Sequence, residues 1–166
     1  MTNERSKLAL GLATALRGLI LALALGIACT MLVLIPVMAS QAADAYPEVA
    51  YLRWPFVALL EVASVAGLVV LGSLWRLIAL GRAGEFLSEA SARPLGLATV
   101  SFIIAAATFL GIDAYLAVGL QAAPPLVFYG LLAGGLACLA AALVLRALLG
   151  QVRSAEAVKR ELEEFV

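Results

Sequence analysis

Four runs of apolar residues, each at least as long as the roughly 18 to 20 residues a helix needs to cross a bilayer, take up most of this 166-residue chain. They cover about residues 12–36, 55–80, 94–119 and 125–149. In lipid a backbone must satisfy its own hydrogen bonds, so runs of this kind are expected to be helices. Only 13% of the residues are charged, against roughly 25% in an ordinary soluble domain, and too little chain remains outside the runs for a soluble catalytic domain. The expected fold is all-α: a membrane-embedded four-helix bundle over residues 1–150, followed by a short cytoplasmic amphipathic helix over 151–166.

The basic residues set an orientation. Arg5, Lys7 and Arg17 precede or enter the first run, and Arg76, Arg82 and Arg93 flank the connection between the second and third. Arg146, Arg153, Lys159 and Arg160 close or follow the fourth, leaving only Arg53 on the opposite side. Basic residues near spans stay in the cytoplasm, which predicts cytoplasmic termini in a multi-pass protein of a prokaryotic inner membrane. The first run exceeds the roughly 7 to 15 apolar residues of a signal peptide and is expected to remain as a span.

Enzyme chemistry finds little footing. There is no histidine, hence neither the commonest general base nor the commonest metal ligand. Cys29 and Cys138 lie within apolar runs without metal-ligand spacing and are expected to be packed, reduced thiols. No nucleophile–base pair and no phosphate-cradling loop is present. The chain therefore reads as non-enzymatic, with no catalytic or metal-binding residue, no cofactor and no direct contact with nucleic acid.

The second and third runs each carry one acid, Glu61 and Asp113, about six residues from the same end of the hairpin and so at a shared depth near ~10 Å. Charge inside a bilayer costs roughly 2.5–3.5 kcal/mol on insertion scales, so both acids are expected to face the bundle interior as a coupled, protonatable site. Tyr129 and Ser64 are the expected hydrogen-bonding neighbours. A structural pair, a cation or proton site and a pocket for an outer-side ligand all remain open.

Small residues recur every four positions at Gly18, Ala22, Gly26 and Thr30, and again at Gly130, Gly134, Cys138 and Ala142. Such stripes permit close helix contact and are expected at helix–helix interfaces. Pro36 is expected to end the first span, residues 39–53 to form an outer loop, and Ser88 or Ser91 to cap the third span with Pro94 in its first turn.

The connection between the second and third runs carries Gly84-Glu85, Ser88-Glu89, Ala92-Arg93 and Leu95 in order. In a four-span chain of this length it resembles the DUF2975 family of small prokaryotic membrane proteins, departing from it at Phe86-Leu87 and Ser91. The resemblance implies a four-span membrane protein that accompanies a small helix-turn-helix transcription regulator, and it supplies no catalytic residue. A basic partner of that kind is expected to dock on Glu85 and Glu89 in the connection. In the tail it would meet Glu161, Leu162, Glu163, Glu164 and Phe165. The leading expectation is thus a sensor or sequestering partner of such a regulator; the alternative is a small proton-coupled transporter or exporter acting as a homo-oligomer.

Overall fold

The computed structural model describes residues 2–84, 88–120 and 125–164. Five α-helices carry these residues: α1 (Thr2–Cys29), α2 (Ile35–Ala45), α3 (Arg53–Arg82), α4 (Glu89–Ala114) and α5 (Pro125–Glu164). Among the described residues there is no strand. Four stretches are long and apolar enough to cross a membrane, Gly11–Ala45, Pro47–Arg82, Glu89–Gly119 and Val127–Ala155, which makes this a multi-pass membrane protein. The end of the bundle that carries Arg53 is called distal below, and the end that carries the α3–α4 connection proximal.

Helix ends depart from the sequence expectation at two prolines. The first span does not stop at Pro36. A π segment, Thr30–Leu34, precedes α2, and the Ile35 N–H donates to the Thr30 carbonyl five residues back. Pro36 then falls in the first turn of α2, where a missing N–H is tolerated, and the helix runs on to Ala45. Most of the expected outer loop is therefore helical. The chain turns at Tyr46 (φ −132°, ψ 75°) and continues as a 3₁₀ segment, Pro47–Leu52, into α3. Likewise α4 starts at Glu89, so Pro94 lies inside the helix and not in its first turn. Ser88 holds the N-cap position with extended backbone but no side-chain cap bond. Ser91 is buried and gives both its N–H (3.0 Å) and its hydroxyl (2.8 Å) to the Ser88 carbonyl. Gly84, at φ +76°, takes the left-handed turn that leaves α3, a conformation that suits a residue without Cβ.

α4 is the centre of the bundle, packed between α3 and α5, while α1 and α2 rest on α3. Its sequence allows that position: Ala98, Thr99, Ser101, Ala105, Ala106 and Thr108 are small and buried, and Thr99 and Thr108 return their hydroxyls to carbonyls of their own helix. Buried polar atoms so satisfied cost little. At the proximal end Leu77 of α3, Leu95 of α4 and Val152 of α5 form a closed apolar cluster, with Leu145 and Leu149 against it. Val152 is 1% exposed, so α5 remains part of the bundle past residue 150 and runs unbroken into the tail. At 1.5 Å per residue its 40 residues span about 60 Å, well beyond a hydrocarbon core of about 30 Å.

The small-residue stripe of α1 does not mark the contact expected of it, and that of α5 does so only in part, at Gly134, where a Cβ would meet Phe109 at 3.7 Å, and at the buried Ala142. A Cβ added at Gly18, Gly26 or Gly130 would meet nothing within 4 Å, and Ala22 is exposed. α1 instead turns Ile20 inward and stacks the Arg17 guanidinium 5.0 Å from the centre of the Trp75 ring on α3. The close approaches are at Gly67, 3.3 Å from Ile27, and at Gly135, where a Cβ would stand 2.7 Å from Leu110. Cys29 is exposed on α1 and not packed; Cys138 is half-buried, and both are free thiols.

Candidate functional site: the distal half of the bundle

Both membrane acids turn inward, but neither finds a partner among the described residues. Asp113 on α4 is 4% exposed, and its Oδ1 is buried without a hydrogen bond. Glu61 on α3 is half-buried, and its Oε2 is likewise shielded and unpaired. The register between their helices is set at the distal end. There the Phe56 ring meets Tyr115 edge-on at 5.9 Å, and the Tyr115 hydroxyl interacts with Tyr51. Glu61 follows Phe56 by five residues, a descent of about 7 Å, whereas Asp113 precedes Tyr115 by two, about 3 Å. The acids thus lie at neighbouring depths, with Glu61 the deeper.

Their expected neighbours are engaged elsewhere. Ser64 donates its hydroxyl to the Leu60 carbonyl at 2.9 Å, one turn back on its own helix. Tyr129 is 66% exposed, packs its ring edge-on against Phe128 at 5.4 Å and makes no hydrogen bond to either acid among the described residues. The cause is helical phase. α5 faces α4 through Gly134, set against Phe109, and Gly135, set against Leu110, and five to six residues at about 100° each carry Tyr129 to the opposite side.

Two cavities lie in succession from the distal end to the middle of the bundle. The deeper one, about 430 Å³, has walls from every span, including Ile27 of α1, Gly67 and Val70 of α3, Phe109 of α4 and Cys138 of α5. The distal one, about 530 Å³, lies beneath α2 and the 3₁₀ segment and is lined by Met38, Tyr46, Arg53 and Phe56 among others. Ile35 and Leu60 line both, so the two adjoin. The walls are apolar, and neither Glu61 nor Asp113 lines either cavity. The one charged wall residue is Arg53, whose guanidinium lies 5.2 Å from the Trp54 ring and whose Nε is buried without a partner. Nothing in composition pointed to these cavities. The available signals were the lone distal arginine and Pro36, which follows the Thr30–Leu34 π segment.

The expected docking residues are less fully placed. Glu89 is exposed in the first turn of α4. Glu85 and Phe165 lie outside the described residues, as do the side chains of Glu161, Leu162, Glu163 and Glu164. Upstream in the tail, Val158 is 57% exposed where Val152 is buried, so the apolar face leaves the bundle between them. No group of three or more metal-ligating side chains occurs among the described residues.

The family model described as "Protein of unknown function (DUF2975)" matches residues 37–166, that is, everything after Pro36. No curated protein and no solved structure matches the chain. With a match over well more than half of its length, this four-span membrane protein belongs to the DUF2975 family.

Proposed function

We propose that the protein is a non-enzymatic membrane sensor, or sequestering partner, of a small helix-turn-helix transcription regulator in a prokaryotic cell membrane. The observation that carries this reading is α5. One unbroken helix starts beside the distal cavity, where Val127 lines the wall, is clamped at Val152 by the proximal core, and projects as far as Glu164. A rearrangement of helices around the cavities has a rigid element through which to reach the tail. The distal half carries the Thr30–Leu34 π segment, the 3₁₀ segment, the distal cavity and both unpaired acids, while the proximal end carries the closed cluster of Leu77, Leu95 and Val152. Adjustable structure is therefore segregated from the surface that holds a partner. The identity of that partner rests on the family resemblance. A transporter reading would use the acids along a path, and neither acid lines either cavity.

Co-purification of the full-length chain with a DNA-binding protein from its native host tests this reading. Truncation after Ala155 keeps Val152 in the core and is expected to abolish capture, because it removes the acidic, apolar-edged strip that would steer and anchor a basic partner. Capture undiminished by that truncation contradicts the docking surface. In the same assay the double variant Glu61→Gln, Asp113→Asn is expected to fold and to change the amount captured, since amides keep hydrogen-bonding capacity without charge. Unchanged capture would make the acids structural.

A further inference from the structure

The two adjoining cavities form one apolar groove with a cation at its distal end. Along α3 it runs from Arg53 to Leu71, about 27 Å of helix, against roughly 15 Å for the half of a 30 Å hydrocarbon core that one leaflet fills. Each cavity alone is within the several-hundred-Å³ range of ligand sites. The polar side chains of the deep wall are Thr30, Ser64, Ser101 and Cys138, and the hydroxyls of Thr30 and Ser64 are donated to carbonyls of their own helices. The distal mouth differs in one respect. Arg53 lines it with an unpaired, buried Nε, while none of Asp44, Glu48 and Glu61, the three acids nearest in sequence, lines either cavity. Arg53 makes no ion pair among the described residues, so an anion at the mouth would complete its hydrogen bonding.

We propose that this groove binds an anionic phospholipid of the distal leaflet, with its phosphate held at Arg53 and an acyl chain laid past Leu60 and Ile35 into the cavity beside Cys138. A long apolar chain ending in an anion is the chemistry the walls and the single cation match together. A zwitterionic lipid supplies the chain but brings its own cation to Arg53. As the signal read by a sensor, this lipid rests on the function proposed above; its binding does not.

Cys138 reports the occupant directly. In a Cys29→Ala background the remaining thiol lines the deep cavity, so alkylation of the purified protein in detergent follows access to it. Phosphatidylglycerol is expected to slow alkylation at about tenfold lower mole fraction than phosphatidylcholine, the scale of one charge-assisted hydrogen bond. Arg53→Gln should erase that preference and Arg53→Lys should keep most of it, with melting curves verifying that both variants fold. Equal protection by the two lipids would mean only bulk acyl chains fill the groove, and no protection would mean none do. Protection that rises with protein concentration in the absence of lipid would place a second copy of the chain there. Each of these three results overturns the proposal. The assay uses the chain without a partner, so its failure and failure of the regulator reading are separate outcomes.

Discussion

Gly135→Leu is expected to destabilise the purified protein by about 1–3 kcal/mol, the usual cost of overpacking a close contact, and to lower its melting temperature in detergent accordingly. A Cβ at this position would stand 2.7 Å from both Cγ and Cδ2 of Leu110, and 3.5 Å from the Leu110 backbone nitrogen. Moving the end of the Leu110 side chain does not clear Cγ, so α4 and α5 must part along the most extensive helix contact in the bundle. Gly26→Leu makes the matched control. It lies in the small-residue stripe of α1, yet a Cβ there meets nothing within 4 Å, and its effect should stay within roughly 0.5 kcal/mol. Equal losses at the two sites would mean that α1 has an unseen partner, and equal tolerance would mean that the α4–α5 contact is looser than described.

Val152→Asp should cost about 3–5 kcal/mol, the scale of an uncompensated buried charge. Val152 is 1% exposed between Leu77 and Leu95, and the cluster it completes is the one that holds α5 to the rest of the proximal end. Val158→Asp changes the same residue type six positions further along the same helix, at 57% exposure, and should leave the melting temperature nearly unchanged. The pair therefore locates the point at which α5 leaves the bundle. If Val158→Asp is the more damaging of the two, the tail packs back on the protein and is not available to a partner.

Much of this architecture was legible in the sequence, and the limits of that reading have physical causes. Run length alone located the four spans, because lipid leaves a backbone few alternatives to a helix. Burial of Asp113, and the shielding of one oxygen of the half-buried Glu61, agree with the cost of exposing a carboxyl group to acyl chains. Helix phase was much harder to read. In a soluble helix polar residues mark the outside, but in a membrane every face is apolar, so nothing distinguishes the open position of Gly130 from the tight one of Gly135, five residues and about 140° further round the helix. The same loss of phase information put Tyr129 on the wrong side of α5. Proline misled in another way. Pro36 and Pro94 look like boundaries, yet a π segment before the first resets the hydrogen-bond ladder, and the second is accommodated within α4. Gly67 and Gly135, which do hold close contacts, carry no periodic signal at all.

The proposed division of labour, with a lipid-filled site on the outer side and a partner-holding surface in the cytoplasm, depends on which side of the membrane the proximal end occupies. Cysteine labelling measures this directly. In a background with Cys29 and Cys138 replaced by alanine, Asp44→Cys places a thiol at an exposed distal position and Ala90→Cys at an exposed proximal one. Ala43, next to the first of these, lines the distal cavity and would report occupancy as well as sidedness. With an impermeant maleimide on intact cells, the thiol at position 44 should react and the thiol at position 90 should react only after permeabilisation. The reverse pattern would put the tail of α5 outside the cell, where no transcription regulator could reach it.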